Sequence, residues 1–169
     1  MIRKARKEDL FAVKGIAEAC TKDLDNQGIF QWNSTYPSLA IFEKDILEEA
    51  LYVYEIQGEI QGCIMFSEEK DPLYDTIEWM CPDFRNLYIH RLAVHPQFQK
   101  KGIARQLMNF AESFAIHNKM HSIRLDTFSQ NPRNIRFYEL IGYHIRGDVF
   151  FNHQSEYPFH CFEKLIKRI

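Results

Sequence analysis

Lys100, Lys101 and Arg105 fall within one six-residue stretch, and the residues between them include Gly102 and Ala104. This basic cluster follows the apolar run Leu87 to Val94 and opens a segment with helical periodicity from Gly102 to about His117. A helix start gathers backbone N–H groups that have no intrahelical acceptor, and the helix dipole adds positive potential. Such a junction suits an anion, and phosphate above all. Gly102 and Ala104 carry almost no side chain, so a ligand can approach the backbone there. The two familiar phosphate loops do not occur. No Gly-x-x-x-x-Gly-Lys-Ser/Thr run is present, and Gly102 stands alone where a dinucleotide fingerprint needs three glycines.

Three segments carry a more specific pattern. Gln99-x-x-Gly102-x-Ala104 follows the strand-like Leu92-Ala93-Val94-His95-Pro96, and Asn131, Tyr138 and Gly142-Tyr143 follow at a later strand-to-helix junction. In this order they resemble the GNAT superfamily of N-acetyltransferases. Departures are small: Gln99 stands where many members have Arg, Asn134 where Ala is common, and Tyr143 in place of Phe. The resemblance implies one GNAT domain over residues 1–169. It implies an α/β fold with a mixed, mostly antiparallel central sheet of about six to seven strands flanked by helices, one parallel pair splaying apart. It also implies acetyl-coenzyme A as acyl donor. The pyrophosphate would rest on Gln99, Lys100, Lys101, Gly102, Ile103 and Ala104, with Arg105 adding charge. The pantetheine arm would lie along Leu92, Ala93 and Val94 like an added strand, beside Asn131, with the thioester near Tyr138.

Acetyl transfer to an amine requires a deprotonated nitrogen, a donor for the developing oxyanion and a proton for the departing thiolate. The Val94 N–H matches the second need, and Tyr138 matches the family's tyrosine in the third. For the first, strand alternation puts Tyr88, His90, Leu92 and Val94 on one face. His90 is therefore the leading base, with an intrinsic pKa of about 6.5; Glu78 and Asp83 are alternatives. His117 and His121 lack the Glu of a His-Glu-x-x-His helix, so no metal is expected.

The acceptor is drawn from composition around the expected pocket. By the GNAT resemblance, Phe30, Trp32 and Tyr36 lie where the family's variable first-helix region shapes the acceptor pocket. Glu68, Glu69, Asp71, Asp75, Glu78 and Asp83 make the later connector acidic. Aromatics and carboxylates attract a cationic amine. A small amine or amino-acid-like acceptor is expected, with Phe30, Trp32, Tyr36, Glu78 and His90 lining its site. A protein N-terminus or lysine remains open, as does an acetyl-coenzyme A sensor without turnover.

The elements that must position these residues follow from periodicity and composition. The chain has 169 residues, 14 Phe, 8 Tyr, a net charge of −2 and four cysteines without a Cys-x-x-Cys pair. It is long enough for a proper core. The charge balance argues against nucleic acid, and no apolar run spans a bilayer. The thiols fit a reduced, cytoplasmic setting, and the N-terminal residues lack a signal peptide's apolar region. Relatives in the superfamily are commonly dimers, so a homodimer is open.

Ile2–Arg6 reads as a strand, and Lys7-Glu8-Asp9 opens a helix with Leu10, Val13, Ala17 and Cys20 inward. Ser38 caps a second helix with Ile41, Ile46 and Leu47 inward. Leu51–Ile56 and Ile60–Phe66 form a hairpin around Gln57-Gly58. Phe84–Val94 and Ser122–Phe128 are strands joined by the Gly102 helix, hence parallel. A short helix to about Ile141 and a strand pair, Tyr143–Phe151 and Phe159–Ile166, complete the chain.

Overall fold

Strand β4 (Leu87–Val94), the turn after it and helix α3 (Ile103–His117) carry the basic cluster. The computed structural model describes residues 1–82 and 84–166. Before β4 come β1 (Ile2–Lys4), α1 (Leu10–Asn26), α2 (Leu39–Leu47), β2 (Leu51–Ile56) and β3 (Glu59–Ser67). After α3 come β5 (Ser122–Phe128), α4 (Pro132–Leu140), β6 (His144–Val149) and β7 (Phe159–Leu165). The seven strands hydrogen-bond in the order β1-β2-β3-β4-β5-β7-β6. Pairs β1–β2, β2–β3, β5–β7 and β6–β7 are antiparallel, whereas β4 and β5 are parallel. No helix among the described residues is long and apolar enough to cross a membrane.

The chain packs as two units: Met1–Phe66 with His90–Ala111, and Ser67–Ile89 with Glu112–Ile169. In the first, α1 buries Leu10, Val13, Ile16, Ala17 and Cys20 against Phe42, Leu51, Val53, Cys63, Met65 and Ala93. The opposite face of the hairpin stacks Tyr52 on Phe66, with ring centroids 4.8 Å apart, and Phe110 of α3 lies 5.0 Å from Tyr52. Gln57 and Gly58 both take positive φ, 51° and 85°, which matches the right-handed twist of the two strands. Strand β1 ends at Lys4, earlier than periodicity predicts. The Asp9 carboxylate accepts the Arg6 N–H at 2.7 Å and two bonds from Arg3, which turns the chain into a 3₁₀ turn at Lys7–Asp9.

Ser38 caps α2 as expected, its Oγ accepting the Ile41 N–H at 3.2 Å. The buried face of α2 differs in part from the expected one, since Ile46 packs against the core as expected but Leu47 does not. Phe42 and Asp45 turn inward, while Leu47 is 76% exposed. The cause is Arg91 on β4, whose guanidinium holds both Asp45 oxygens at 2.6 and 2.9 Å. A buried carboxylate must follow its cation, so this pair sets the helix rotation.

Gly62 on β3 is required for close approach. A Cβ built there would sit 2.8 Å from the Ala93 carbonyl oxygen of β4. Backbone on both sides leaves no flexible side chain to yield. Gly62→Ala should therefore cost about 1–3 kcal/mol, read as a lower urea midpoint at unchanged m. An unchanged midpoint would show that the two strands separate freely.

In the second unit, β4 begins at Leu87, and Phe84, expected to start it, is 60% exposed. Parallel pairing matches Leu87, Tyr88 and Ile89 with Ile123, Arg124 and Leu125. The acidic connector is anchored by a 3₁₀ turn at Pro72–Thr76, capped by Asp71, which accepts the Leu73 N–H at 2.8 Å. Tyr74 of that turn is fully buried, and Trp79 Nε1 donates to its carbonyl at 3.1 Å. The Trp79 ring lies 4.4 Å from the Arg124 guanidinium. Arg124 and Glu163 form a completely buried ion pair across β5 and β7, 2.9 Å apart.

Candidate active site

Beyond Val94, Pro96–Phe98 makes a single 3₁₀ turn, and the His95 ring nitrogen accepts the Gln97 N–H at 3.3 Å. Gln99 reaches back, donating from Nε2 to the Val94 carbonyl at 3.0 Å. The Cys20 thiol of α1 donates to the same oxygen at 3.2 Å. Lys100 and Gly102 take left-handed conformations, φ 63° and 80°. Such alternation curls successive backbone N–H groups toward one side, as in anion-binding nests. Gln106 N–H donates to the Gly102 carbonyl at 3.0 Å, so the amides from Gly102 to Arg105 precede the helical ladder.

Ile103 is buried and pins the helix start, while Lys100, Lys101 and Arg105 are exposed. Lys101 Nζ lies 5.0 Å from the Phe98 ring centroid. An added Cβ at Gly102 meets nothing within 4 Å, which leaves room for a ligand against the backbone. Left-handed backbone, helix-start amides, three cations and open space together fit a diphosphate.

The other expected residues are placed as follows. In the first unit, His90 and Leu92 are half-buried in β4, and Ala93 and Val94 are buried. Trp32 packs against the α1 core, and the Tyr36 hydroxyl accepts from Arg91 at 3.4 Å. Phe30 is 62% exposed. In the second unit, the Glu78 side chain is exposed and its carbonyl accepts two bonds from Arg146, at 3.0 and 3.1 Å. Asp83 lies outside the described residues. Asn131 is 2% exposed and caps α4, its Oδ1 accepting the Asn134 N–H at 3.2 Å.

Tyr138 is 6% exposed, with the rings of Phe137, Phe162 and Tyr143 at 5.3, 5.7 and 6.1 Å. Burial pushes its phenol well above the usual tyrosine range, and the Asp126 charge adds to this. It therefore holds its proton at neutral pH. No hydrogen bond reaches its hydroxyl among the described residues, and no buried side-chain oxygen is left unpaired, so the hydroxyl touches solvent.

Two side chains escaped the reading of the sequence. Asp126 on β5 accepts a hydrogen bond from the Tyr74 hydroxyl, and burial pushes its carboxyl up to about 6. The available signal was Ser122, Arg124 and Asp126 at alternate positions of one strand. Polar residues on a strand with neighbours on both edges must be satisfied by something. The four cysteines are free, and no three His, Cys, Asp or Glu side chains gather as metal ligands among the described residues.

Residues 17–143 match the model of the acetyltransferase (GNAT) family, and the chain belongs to that family. It is similar to the uncharacterised N-acetyltransferase YesJ of Bacillus subtilis (strain 168), 23% identical over 161 residues, 94% of this chain and 86% of the relative. Among solved structures, a GNAT family acetyltransferase from Streptococcus agalactiae 2603 superposes with a TM-score of 0.86 at 21% identity, covering 99% of this chain and 96% of the other. Naa20 of Chaetomium thermophilum, in complex with a bisubstrate analogue, gives 0.73 at 23% identity, covering 99% and 87%. The structural likenesses show a shared fold.

Proposed function

We propose that the chain moves an acetyl group from acetyl-coenzyme A to a primary amine of a small or amino-acid-like acceptor, by direct attack in a ternary complex. The observation that carries this reading is the β4–turn–α3 junction with left-handed Lys100 and Gly102. Acetyl-coenzyme A supplies a diphosphate handle and an activated thioester. The amides from Gln99 to Ala104 hold the diphosphate, and Lys100, Lys101 and Arg105 neutralise it. Leu92, Ala93 and Val94 guide the pantetheine arm, and the Val94 N–H serves the developing oxyanion. Asn131 orders the start of α4 and thereby positions Tyr138, whose hydroxyl protonates the departing sulfur. The aromatic Phe30, Trp32 and Tyr36 of the first unit and the acidic connector with Glu78 of the second are each of a type that draws a cationic amine.

Thiol release from acetyl-coenzyme A over a panel of amines tests this. Small cationic amines should be consumed in preference to anionic ones. Preferential use of peptide N-termini moves the acceptor to proteins, and binding without turnover with every amine overturns the transfer. Tyr138→Phe removes only the phenolic proton. It should lower kcat by roughly 10–100-fold with little change in donor affinity. Equal turnover reduces Tyr138 to a packing residue.

A further inference from the structure

We propose that Asp126 is the general base of this transfer, its carboxylate aimed by the Tyr74 hydroxyl one residue beyond the last β4–β5 pair. The proposal rests on the amine-transfer reading above and names the residue that accepts the proton. Among the described residues the buried carboxylates are each matched by an arginine, Asp9 by Arg3, Asp45 by Arg91 and Glu163 by Arg124, whereas Asp126 is half-buried. Asp126 has no cation. Its β5 neighbours are already committed, since Ser122 and Arg124 both donate to Glu163, at 2.7 and 2.9 Å. Only Tyr74 reaches the Asp126 carboxylate, through Oδ2. No other hydrogen bond reaches it among the described residues, and no fully enclosed side-chain oxygen is left unpaired, so Oδ1 keeps some contact with solvent.

The aiming group is rigid. Tyr74 is fully buried, its carbonyl held by Trp79 and its ring packed on Trp79 and Tyr88 at 5.4 and 6.0 Å. The titratable groups facing Asp126 are Tyr74 and Asp71 from the 3₁₀ turn, Cys161 on β7 and Tyr138 on α4; Asp148 of β6 lies next to Cys161 and is bonded to His160 at 2.6 Å. Burial dominates and raises the Asp126 carboxyl, Asp71 raises it further, and the Tyr74 bond opposes both. A base poised there is ionised at neutral pH yet more basic than an ordinary aspartate. Asp126 lies near the carboxyl end of β5 and Tyr138 on α4, both within the second unit, and the Asp126 charge is felt at the Tyr138 phenol.

The proton count closes. An ammonium and an acetyl thioester give an amide, a thiol and one proton. Oδ1 of Asp126 takes the first proton from the ammonium and passes it to water. The nitrogen lone pair forms the C–N bond, the C–S bond breaks with its electrons on sulfur, and the second nitrogen proton replaces the one Tyr138 gives to sulfur.

The test compares Asp126→Asn, Asp126→Glu, Tyr74→Phe and His90→Gln in the full chain. Wild-type kcat/KM should fall below about pH 6, and Asp126→Asn should lower it by roughly 10²–10³ while erasing that acidic limb. Asp126→Glu should restore part of the rate. Acetyl-coenzyme A affinity by calorimetry should stay the same in all four variants. A carboxyl NMR titration without donor should show one aspartate with a midpoint near 6, absent in Asp126→Asn. Tyr74→Phe removes a bond that favours the ionised form, so that midpoint and the kinetic limb should both move to higher pH. Wild-type kcat/KM in Asp126→Asn, or an acidic limb erased only by His90→Gln, overturns the base and leaves the transfer standing. A wild-type chain that transfers to no amine overturns both.

Discussion

Gly102→Glu is expected to eliminate measurable acetyl-coenzyme A binding while the chain stays folded. The position is left-handed, φ 80°, and an added Cβ meets no protein atom within 4 Å. The fold therefore suffers backbone strain of about 1–2 kcal/mol and no clash. The ligand suffers far more. A carboxylate enters the helix-start field that Lys100, Lys101 and Arg105 reinforce, close to the proposed diphosphate position. Two like charges some 5 Å apart near a protein surface repel by about 3 kcal/mol, worth on the order of a hundredfold in affinity. Calorimetric titration with acetyl-coenzyme A, alongside circular dichroism, measures the two effects separately. Gly102→Ala carries the strain without the charge and should lose far less affinity. Wild-type affinity in Gly102→Glu would remove the diphosphate from this turn.

The largest loss of stability is expected from Glu163→Ala. Glu163 and Arg124 are both wholly enclosed. The Glu163 carboxylate accepts from Arg124 Nε, Ser122 Oγ and the Met80 N–H. Removing it takes away the partner of the Arg124 Nε; the Cys81 and Pro82 carbonyls, the Tyr88 hydroxyl at 3.2 Å and the Trp79 face are among the contacts that the guanidinium keeps. Removing one partner of a wholly buried ion pair costs about 3–5 kcal/mol. For a chain of this size that lowers the thermal midpoint by roughly 10 °C. Calorimetric melts at pH 7 check it. A change below about 1 kcal/mol would mean that water reaches Arg124.

Local signals made much of this legible from residues alone. Ser122–Phe128 is the strand that its β-branched and apolar composition predicts, and Ser38 caps α2 where a serine before an apolar helix should. The basic turn before α3 is equally local, because glycine and lysine types mark it directly. What was missed depends on partners distant in sequence. Leu47 looks as apolar as Phe42, and only Arg91, 46 positions from Asp45, decides which side of α2 faces inward. Asp126 reads as an ordinary polar strand residue until Tyr74, 52 positions earlier, folds over it. Asn131 differs, since its signal was local. Asn followed by Pro132 at the first helical position is a cap pattern, and the GNAT resemblance drew attention to a ligand contact instead.

The Val94 carbonyl has a consequence for polarity. One oxygen offers two lone pairs, and Gln99 and Cys20 occupy both. At that rung the carbonyl has no lone pair left for a further donor. A chain laid alongside it therefore cannot anchor an N–H on that oxygen without displacing Gln99 or Cys20.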